Sequence, residues 1–306
     1  MDRTITANKI FVNNNGLKGS TININVREEL KKLLDGILKL PNKATNEDKK
    51  KIKHELTKSK KIVYLEASTC FEEYDTYCLL FKSAKYDHVR EVMDTNTMTV
   101  KGKLKKKPDG DLERTHAAIK FINKKEIYFL CESNKDGVTA NAIIEYLNTF
   151  LEKMYALDGK EISYHFYANP IISTDFIKSL EGLKSVNAVT LTVDEENVAI
   201  SGFAELAGRG DIKKDFEIVL KPTTTKKGIK KDTVKEFFKE YSRTDRKVKC
   251  ITIAGNGSSI KFDTEQMKRK FNVKNIELEV GTNEVKTDSI FVILNNFMLE
   301  LEKGGE

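Results

Sequence analysis

Cysteine and histidine are scarce and scattered in this 306-residue chain, and their spacing excludes the common metal signatures. The four cysteines stand at Cys70, Cys78, Cys131 and Cys250, with no CxxC pair among them. The four histidines, His54, His88, His116 and His165, are equally dispersed, so no zinc-binding spacing exists. Cys78, Cys131 and Cys250 sit inside apolar, strand-like runs and read as small buried hydrophobes, in keeping with a reducing compartment. No apolar run approaches the roughly 18 residues of a membrane span. The first residues lack the basic start and apolar stretch of a signal peptide. The expectation is therefore a cytoplasmic protein with no membrane contact.

Nucleotide and nucleophile motifs are also lacking. There is no GxSxG elbow, so a Ser-His-Asp arrangement has no starting point. Gly255-Asn256-Gly257-Ser258-Ser259 follows a strand but has neither the lysine of a P-loop nor the third glycine of a dinucleotide fold. It reads as a hairpin turn, as does Gly208-Arg209-Gly210-Asp211. No zinc finger, RNA-recognition motif or helix-turn-helix is evident. No fixed-period repeat appears. No cofactor is expected.

Charge is plentiful: 32% of residues are charged, 39% are hydrophobic, and the net charge is +7. A chain of this length buries roughly three quarters of its extended surface, enough for a core without staples. The positive excess is uneven. Residues 221–249 hold eleven basic and four acidic residues, a segmental charge of +7. Lys101 to Lys107 places five lysines in seven residues. A third patch comprises Lys49, Lys50, Lys51, Lys53, Lys58, Lys60 and Lys61. Lysine-rich faces serve solubility in many proteins. Three such patches in one chain point to a polyanion bound through phosphate contacts and counterion release.

Hydrophobic periodicity outlines the elements. Strands are expected at residues 3–12, 61–67, 74–85, 98–104, 114–122, 126–131 and 161–167. The 116–121 and 127–130 segments form a hairpin across Asn123-Lys124-Lys125, and Lys105–Asp111 is a Pro-Asp-Gly turn. Helices are expected at 26–40, at 47–59 with Asn46 as cap, and at 139–155. After a boundary near 170, a helix at 173–180 with Thr174 as cap precedes strands at 188–193, 197–203 and 216–220. A basic helix at 230–241 turns Val234, Phe237, Phe238 and Tyr241 inward. Strands at 247–253 and 275–280 and a helix at 287–301 complete the chain. The expectation is an α+β fold of two domains, 1–169 and 170–306, with mixed or antiparallel sheets packed by helices.

Catalytic readings are thin. Asp109, Glu132 and Lys135 invite comparison with a metal-dependent nuclease, in which two acids and a lysine hold Mg²⁺ and polarise water. Glu132 and Lys135 are three apart, the wrong spacing to share one strand face. Asp211 and Lys213 have the right local spacing but lack a partner acid. His116 follows the acid-rich stretch Asp109, Asp111, Glu113 and is a candidate general base. As a polar strand position it needs no such role.

The stretch from Leu80 to Phe150 carries a further pattern: a Lys-x-x-Lys-Tyr segment, Lys82 to Tyr86; then Thr115-His116 followed by alternating apolar residues; then Glu132, Gly137 and a helix ending in Tyr146-Leu147. It resembles poorly characterised phage and prophage proteins similar to the RexA-type exclusion proteins of temperate phages, and accessory phage-defence proteins. The resemblance implies a two-domain homodimer that binds DNA without strong sequence preference and acts in phage–host conflict. The C-terminal half carries no such pattern.

The combined expectation is a non-enzymatic protein that binds double-stranded DNA. Lys226, Lys227, Lys230, Lys231, Arg243, Arg246 and Lys247 would contact phosphates, aided by Lys103, Lys105, Lys106 and Lys107. The alternatives are a protein-interaction component, such as a phage-encoded inhibitor or a subunit of a defence complex, and the nuclease.

Overall fold

A computed structural model describes residues 2–14, 25–39, 52–86, 91–103, 106, 109–123, 126–194, 215–224, 228–243, 248–255, 258–263, 266–282 and 284–303. In chain order the elements begin with β1 (Arg3–Asn14), α1 (Val26–Lys39), β2 (His54–Leu56), β3 (Lys61–Phe71), β4 (Thr76–Lys85), β5 (Glu91–Met93) and β6 (Val100–Lys103). There follow β7 (Asp111–Phe121), β8 (Ile127–Ser133), α2 (Ala140–Leu157), β9 (Tyr164–Pro170), α3 (Thr174–Gly182) and β10 (Ala188–Asp194). The last are β11 (Asp215–Leu220), α4 (Lys231–Arg243), β12 (Val248–Gly255), β13 (Ser258–Asp263), β14 (Lys270–Val273) and α5 (Thr287–Lys303). The fold is α+β with antiparallel sheets. None of the described helices is long and apolar enough to cross a membrane.

Two compact units result: Met1–Ala168 with Phe271–Glu306, and Asn169–Lys270. The first stretch of the first unit ends at Ala168. Residues 271–306, however, belong to the first unit and not to a C-terminal domain running from 170 to 306. The reason is the sheet that α5 covers.

That sheet has the order β14-β1-β8-β7-β4-β3-β2, with β9 also pairing β1. The pairs β1/β8, β8/β7, β7/β4, β4/β3 and β3/β2 are antiparallel. Side chains alternate between faces along each strand. On one face Ala117, Ile119 and Phe121 of β7 join Ile127 and Phe129 of β8 and Leu79 and Phe81 of β4. Leu30, Leu33, Leu34 and Ile37 of α1, with Ile143, Leu147, Phe150 and Leu151 of α2, cover them. The alternate β7 residues His116, Ala118 and Lys120 are buried too. They lie under α5, which turns in Ile290, Phe291, Leu294, Met298 and Leu301. Each such side chain contributes about 1.5–3 kcal/mol relative to exposure. The continuous apolar run at 127–131 is the sequence trace of this double coverage.

Local signals explain several termini. Thr139 caps α2, its hydroxyl accepting the Ala142 N–H at 3.3 Å. Ser173, not Thr174, caps α3 by accepting the Phe176 N–H at 3.2 Å. The polar helix expected at 47–59 is not formed over 54–59: His54–Leu56 is an edge strand and Thr57–Ser59 a single 3₁₀ turn. Pairing of His54 with Val63 and Leu56 with Lys61 overrides the polar helical composition. The strand expected at 275–280 is a tight turn bridged at Leu278 and Val285. The paired strand lies earlier, at Lys270–Val273. The strand expected at 197–203 lies outside the described residues, as do Asn46, Gly208-Arg209-Gly210-Asp211 and Lys213.

The second unit is a four-stranded antiparallel sheet, order β11-β10-β12-β13. Val189, Leu191 and Val193 of β10 and Ile251 and Ile253 of β12 pack against Phe176 and Leu180 of α3 and Val234 and Phe238 of α4. Phe237 is only half-buried. Gly255 pairs with Ser258, so the glycine-rich segment joins two antiparallel strands. A Cβ at Gly255 would meet the Ser185 carbonyl at 2.0 Å, which restricts the position to glycine.

Tyr146 is fully buried. Its hydroxyl donates to the Ile52 carbonyl at 2.9 Å and accepts the Leu65 N–H at 3.2 Å, beside a β3/β4 register shift between Leu65 and Ala67. Tyr146→Phe leaves both backbone groups buried and unpaired, a cost of about 2 kcal/mol or more. The expected outcome is a lower urea midpoint with an unchanged denaturant slope. An unchanged midpoint would show that water reaches these groups.

Candidate nucleic-acid interface

Helix α4 follows from apolar residues at 234 and 238 among four basic and three acidic residues, and its approach carries the lysines expected to meet phosphate. Lys230 is exposed just before the helix. Lys231 opens it, and its Nζ donates to the Glu181 carbonyl at 2.7 Å, at the end of α3. A cation at that carbonyl satisfies a helix C-terminal acceptor. Lys235 lies 3.3 Å from Glu181 Oε1 and 3.7 Å from Asp232 Oδ1. Part of this basic surface is thus engaged by α3. Lys226, Lys227, Arg246 and Lys247 lie outside the described residues, as do the side chains of Tyr241 and Arg243.

Lys103 and Lys106 belong to the first unit, on a feature the sequence reveals only in part. Strands β4 and β7 pair without interruption from Thr76 opposite Lys120 to Lys85 opposite Asp111. Their connection, residues 86–110, contains a separate two-stranded ribbon, with Glu91 opposite Lys103, Val92 opposite Gly102 and Met93 opposite Val100. The strand expected at 98–104 is confined to Val100–Lys103. Lys106 is held in the expected turn: its N–H donates to Asp109 Oδ2 at 3.0 Å, and the Asp109 N–H returns to the Lys106 carbonyl at 2.7 Å. Lys105 and Lys107 lie outside the described residues. Lys103 and Lys106 are exposed, and neither side chain pairs with a carboxylate among the described residues.

The ribbon's tip is organised by Asp94. Its N–H donates to the Thr99 carbonyl at 2.9 Å. Its carboxylate accepts the Asn96 and Thr97 N–H groups at 3.0 and 3.3 Å and lies 2.8 Å from Lys101 Nζ. The Lys101 contact, then the two backbone donors, hold the carboxyl below its usual 3.8. Met98 stands in the left-handed region at φ 56°, where a non-glycine residue is uncommon.

A buried polar cluster forms where β7 and β8 meet α5. The β7/β8 register sets Ala117 opposite Cys131, so His116 and Glu132 are neighbours across the pair. Glu132 Oε2 accepts both the His116 backbone N–H at 3.0 Å and the Nδ1–H at 2.8 Å. The other ring nitrogen meets Thr287 Oγ1 at 3.2 Å. Arg3 Nε lies 3.0 Å from Glu132 Oε1, an ionic contact without hydrogen-bond alignment. His116 and Glu132 are each only 1% exposed, so no substrate reaches them as they stand. The arrangement orders a histidine beneath a helix. The partner of His116 is therefore Glu132, not the acid-rich stretch before it.

The same geometry separates the nuclease candidates. Glu132 lies beside His116, whereas Asp109 lies beyond Asp111, five residues up the unbroken β7 strand. At a strand's rise that is about 17 Å or more. Lys135 is exposed in the turn after β8. Gly137 in that turn admits no side chain, since a Cβ would fall 2.4 Å from Thr115 Oγ1. That hydroxyl accepts the Val138 N–H at 2.8 Å. Among the described residues no three His, Cys, Asp or Glu side chains converge as a metal site. Cys78, Cys131 and Cys250 are buried, as expected, and burial pushes the Cys78 thiol up to about 12.

No known family model matches this chain, and no curated protein matches it either.

Two outcomes test this geometry. Glu132→Ala leaves Arg3 and His116 without their carboxylate and costs about 3–5 kcal/mol, read as a fall in the thermal midpoint. Second, the ribbon tip depends on an ionised Asp94. A carboxyl whose folded value is depressed stabilises at pH above its unfolded value, and that support is lost as pH falls through the folded one. Amide exchange at Asn96 and Thr97, corrected for intrinsic pH dependence, is expected to accelerate as pH drops below about 3.8. In Asp94→Asn the corrected rates are expected to be flat with pH.

Proposed function

We propose that this protein is a non-enzymatic, largely sequence-independent binder of double-stranded DNA. The observation that carries the reading is the exposure of Lys103, on the β5–β6 ribbon, and Lys106, just beyond it, neither paired with a carboxylate among the described residues. Exposed Lys230 before α4 adds a positive surface on the second unit. Each lysine that meets a phosphate releases condensed counterions, and such contacts carry affinity but no base information. The setting in phage exclusion or anti-phage defence, and a homodimeric state, rest on the resemblance of residues 80–150.

A second reading, a protein-interaction component such as a phage-encoded inhibitor or defence-complex subunit, draws on the exposed apolar residues Val92, Met93, Met98 and Val100 of the ribbon. A stoichiometric complex with a purified partner, unaffected by nuclease, would favour it.

Fluorescence anisotropy with mixed-sequence duplex DNA at several salt concentrations tests the first reading. Binding is expected with Kd of about 10⁻⁴–10⁻⁶ M near physiological salt, weakening steeply as salt rises. Lys103→Ala and Lys106→Ala are each expected to reduce the slope of log affinity against log salt by about one. No binding at low salt, or slopes unchanged in both variants, would overturn the assignment.

A further inference from the structure

Strand β11 forms an edge of the second unit's sheet and carries none of the usual edge protection. Among the described residues it has one neighbour, β10. Their pairing runs from Val189 opposite Leu220 to Asp194 opposite Asp215 without a register shift. An edge strand presents unpaired backbone N–H and C=O groups, and proteins blunt it with lysine, proline, a bulge or brevity. At the other edge of this sheet, β13 holds exposed Lys261. In the large sheet, the edge strand β2 is three residues long. β11 is six residues long, DFEIVL, with no lysine or proline inside it.

The side chains of this edge are self-complementary. Phe216 and Leu220 pack on the core of the second unit, yet Ile218 between them is 36% exposed. Val219, on the opposite face, is 48% exposed. Glu217 and Lys221 share the face of Val219, two residues to either side of it, and both are exposed. Neither is in an ion pair among the described residues. Antiparallel pairing with the same strand of a second copy, about a two-fold axis at Val219, sets Val219 opposite the partner's Val219. It also sets Ile218 opposite the partner's Leu220 and Glu217 opposite the partner's Lys221, and symmetry repeats both pairs. Apolar and opposite-charge pairs directly across a ladder are favourable, and like charges are not. Shifting the axis by two residues opposes two glutamates or two lysines. Shifting it by one sets Val219 against a charge. Pro222 follows Lys221 and has no N–H, so the ladder ends there. A strand from another protein would need this order of acid, valine and base, whereas a second copy brings it by symmetry.

We propose that β11 is a homodimer seam, at which the β11 edges of two copies pair antiparallel about Val219 and join two four-stranded sheets into one of eight strands. Ile218 and Leu220 of each copy carry the helix-covered face across the seam. The Glu217–Lys221 pairs flank Val219 on the other face. This gives the homodimeric state proposed above a surface, and it does not depend on the DNA-binding reading.

The test is sedimentation equilibrium of the full chain, without DNA. A seam one strand long belongs among the small, weak interfaces, so concentrations of about 1 to 300 µM are compared. The mean mass is expected to climb from that of a monomer toward that of a dimer. Val219→Lys changes an exposed position and sets like charges on the axis. It is expected to weaken association by about tenfold or more, with the circular dichroism of the dilute protein unchanged. Glu217→Lys and Lys221→Glu each oppose like charges at both ends of the seam, and each is expected to weaken association by about threefold or more. Combining the two restores opposite charges and is expected to return association to the wild-type level, a recovery that a folding defect would not show. A wild-type chain that stays monomeric at every concentration overturns the seam and leaves the DNA-binding reading standing. A dimer unaffected by Val219→Lys lies elsewhere on the molecule and overturns it too. Charge variants that weaken the dimer singly without recovery in the double variant overturn the register about Val219.

Discussion

The first unit depends on a hairpin that must be covered twice. β7 and β8 are buried on both faces, so one layer of helices cannot satisfy them. Helices α1 and α2 supply the first cover. The second comes from α5, which is separated in sequence by the whole of the second unit. The chain must leave the first unit, build the second, and return. The discontinuity of the first unit is thus a consequence of apolar residues placed at successive positions along two strands.

Double coverage also sets the chemistry of the interior. A strand with no solvent face has to bury whatever polar residues it carries. His116 and Lys120 occupy the α5 face of β7, and each is given a partner. Glu132 and Thr287 serve His116, while the Tyr74 carbonyl and Glu302 serve Lys120, at 2.8 and 3.2 Å. The two partners from α5 stand near opposite ends of that helix, in line with two contacts spaced along β7. Breaking either contact would strand a buried polar group, so the polar positions restrict where α5 can lie more tightly than its apolar stripe does. A histidine beside a carboxylate is familiar as catalytic equipment, but here both are sealed from solvent and act on packing. The exposed lysines Lys103 and Lys106 lie elsewhere, with a ribbon outside the large sheet.

Much of this was legible from residue order. Alternation and turn chemistry marked the β7–β8 hairpin and the break between strands after Gly255, and periodicity the start of α2 near Thr139, because each is decided by a few adjacent residues. What failed was what neighbours in space decide. His54–Leu56 has helical composition but is held by β3. Residues 275–280 look like a strand, yet Leu278 and Val285 close a turn whose Glu284 lies 2.9 Å from Arg114. The pairing of His116 with Glu132 required the hairpin register, which places residues 16 apart side by side. The ribbon was half visible as a strand near 98–104. Its partner β5 is three residues long and fully exposed, too short for a periodic signal.

By itself the sequence determined the class of the fold, an α+β chain with buried thiols and an uneven positive charge. These follow from composition and from periods of two and 3.6, which are local properties of the backbone. Only the tertiary structure decided that residues 271–306 complete the first unit, that Glu132 is a partner of His116 and not a metal ligand with Asp109, and that Lys103 and Lys106 stand at the foot of an apolar ribbon. The first is a meeting of segments far apart in the chain, and the other two turn on which strands pair and in what register. Such meetings are settled by which faces remain uncovered once the nearer elements have packed.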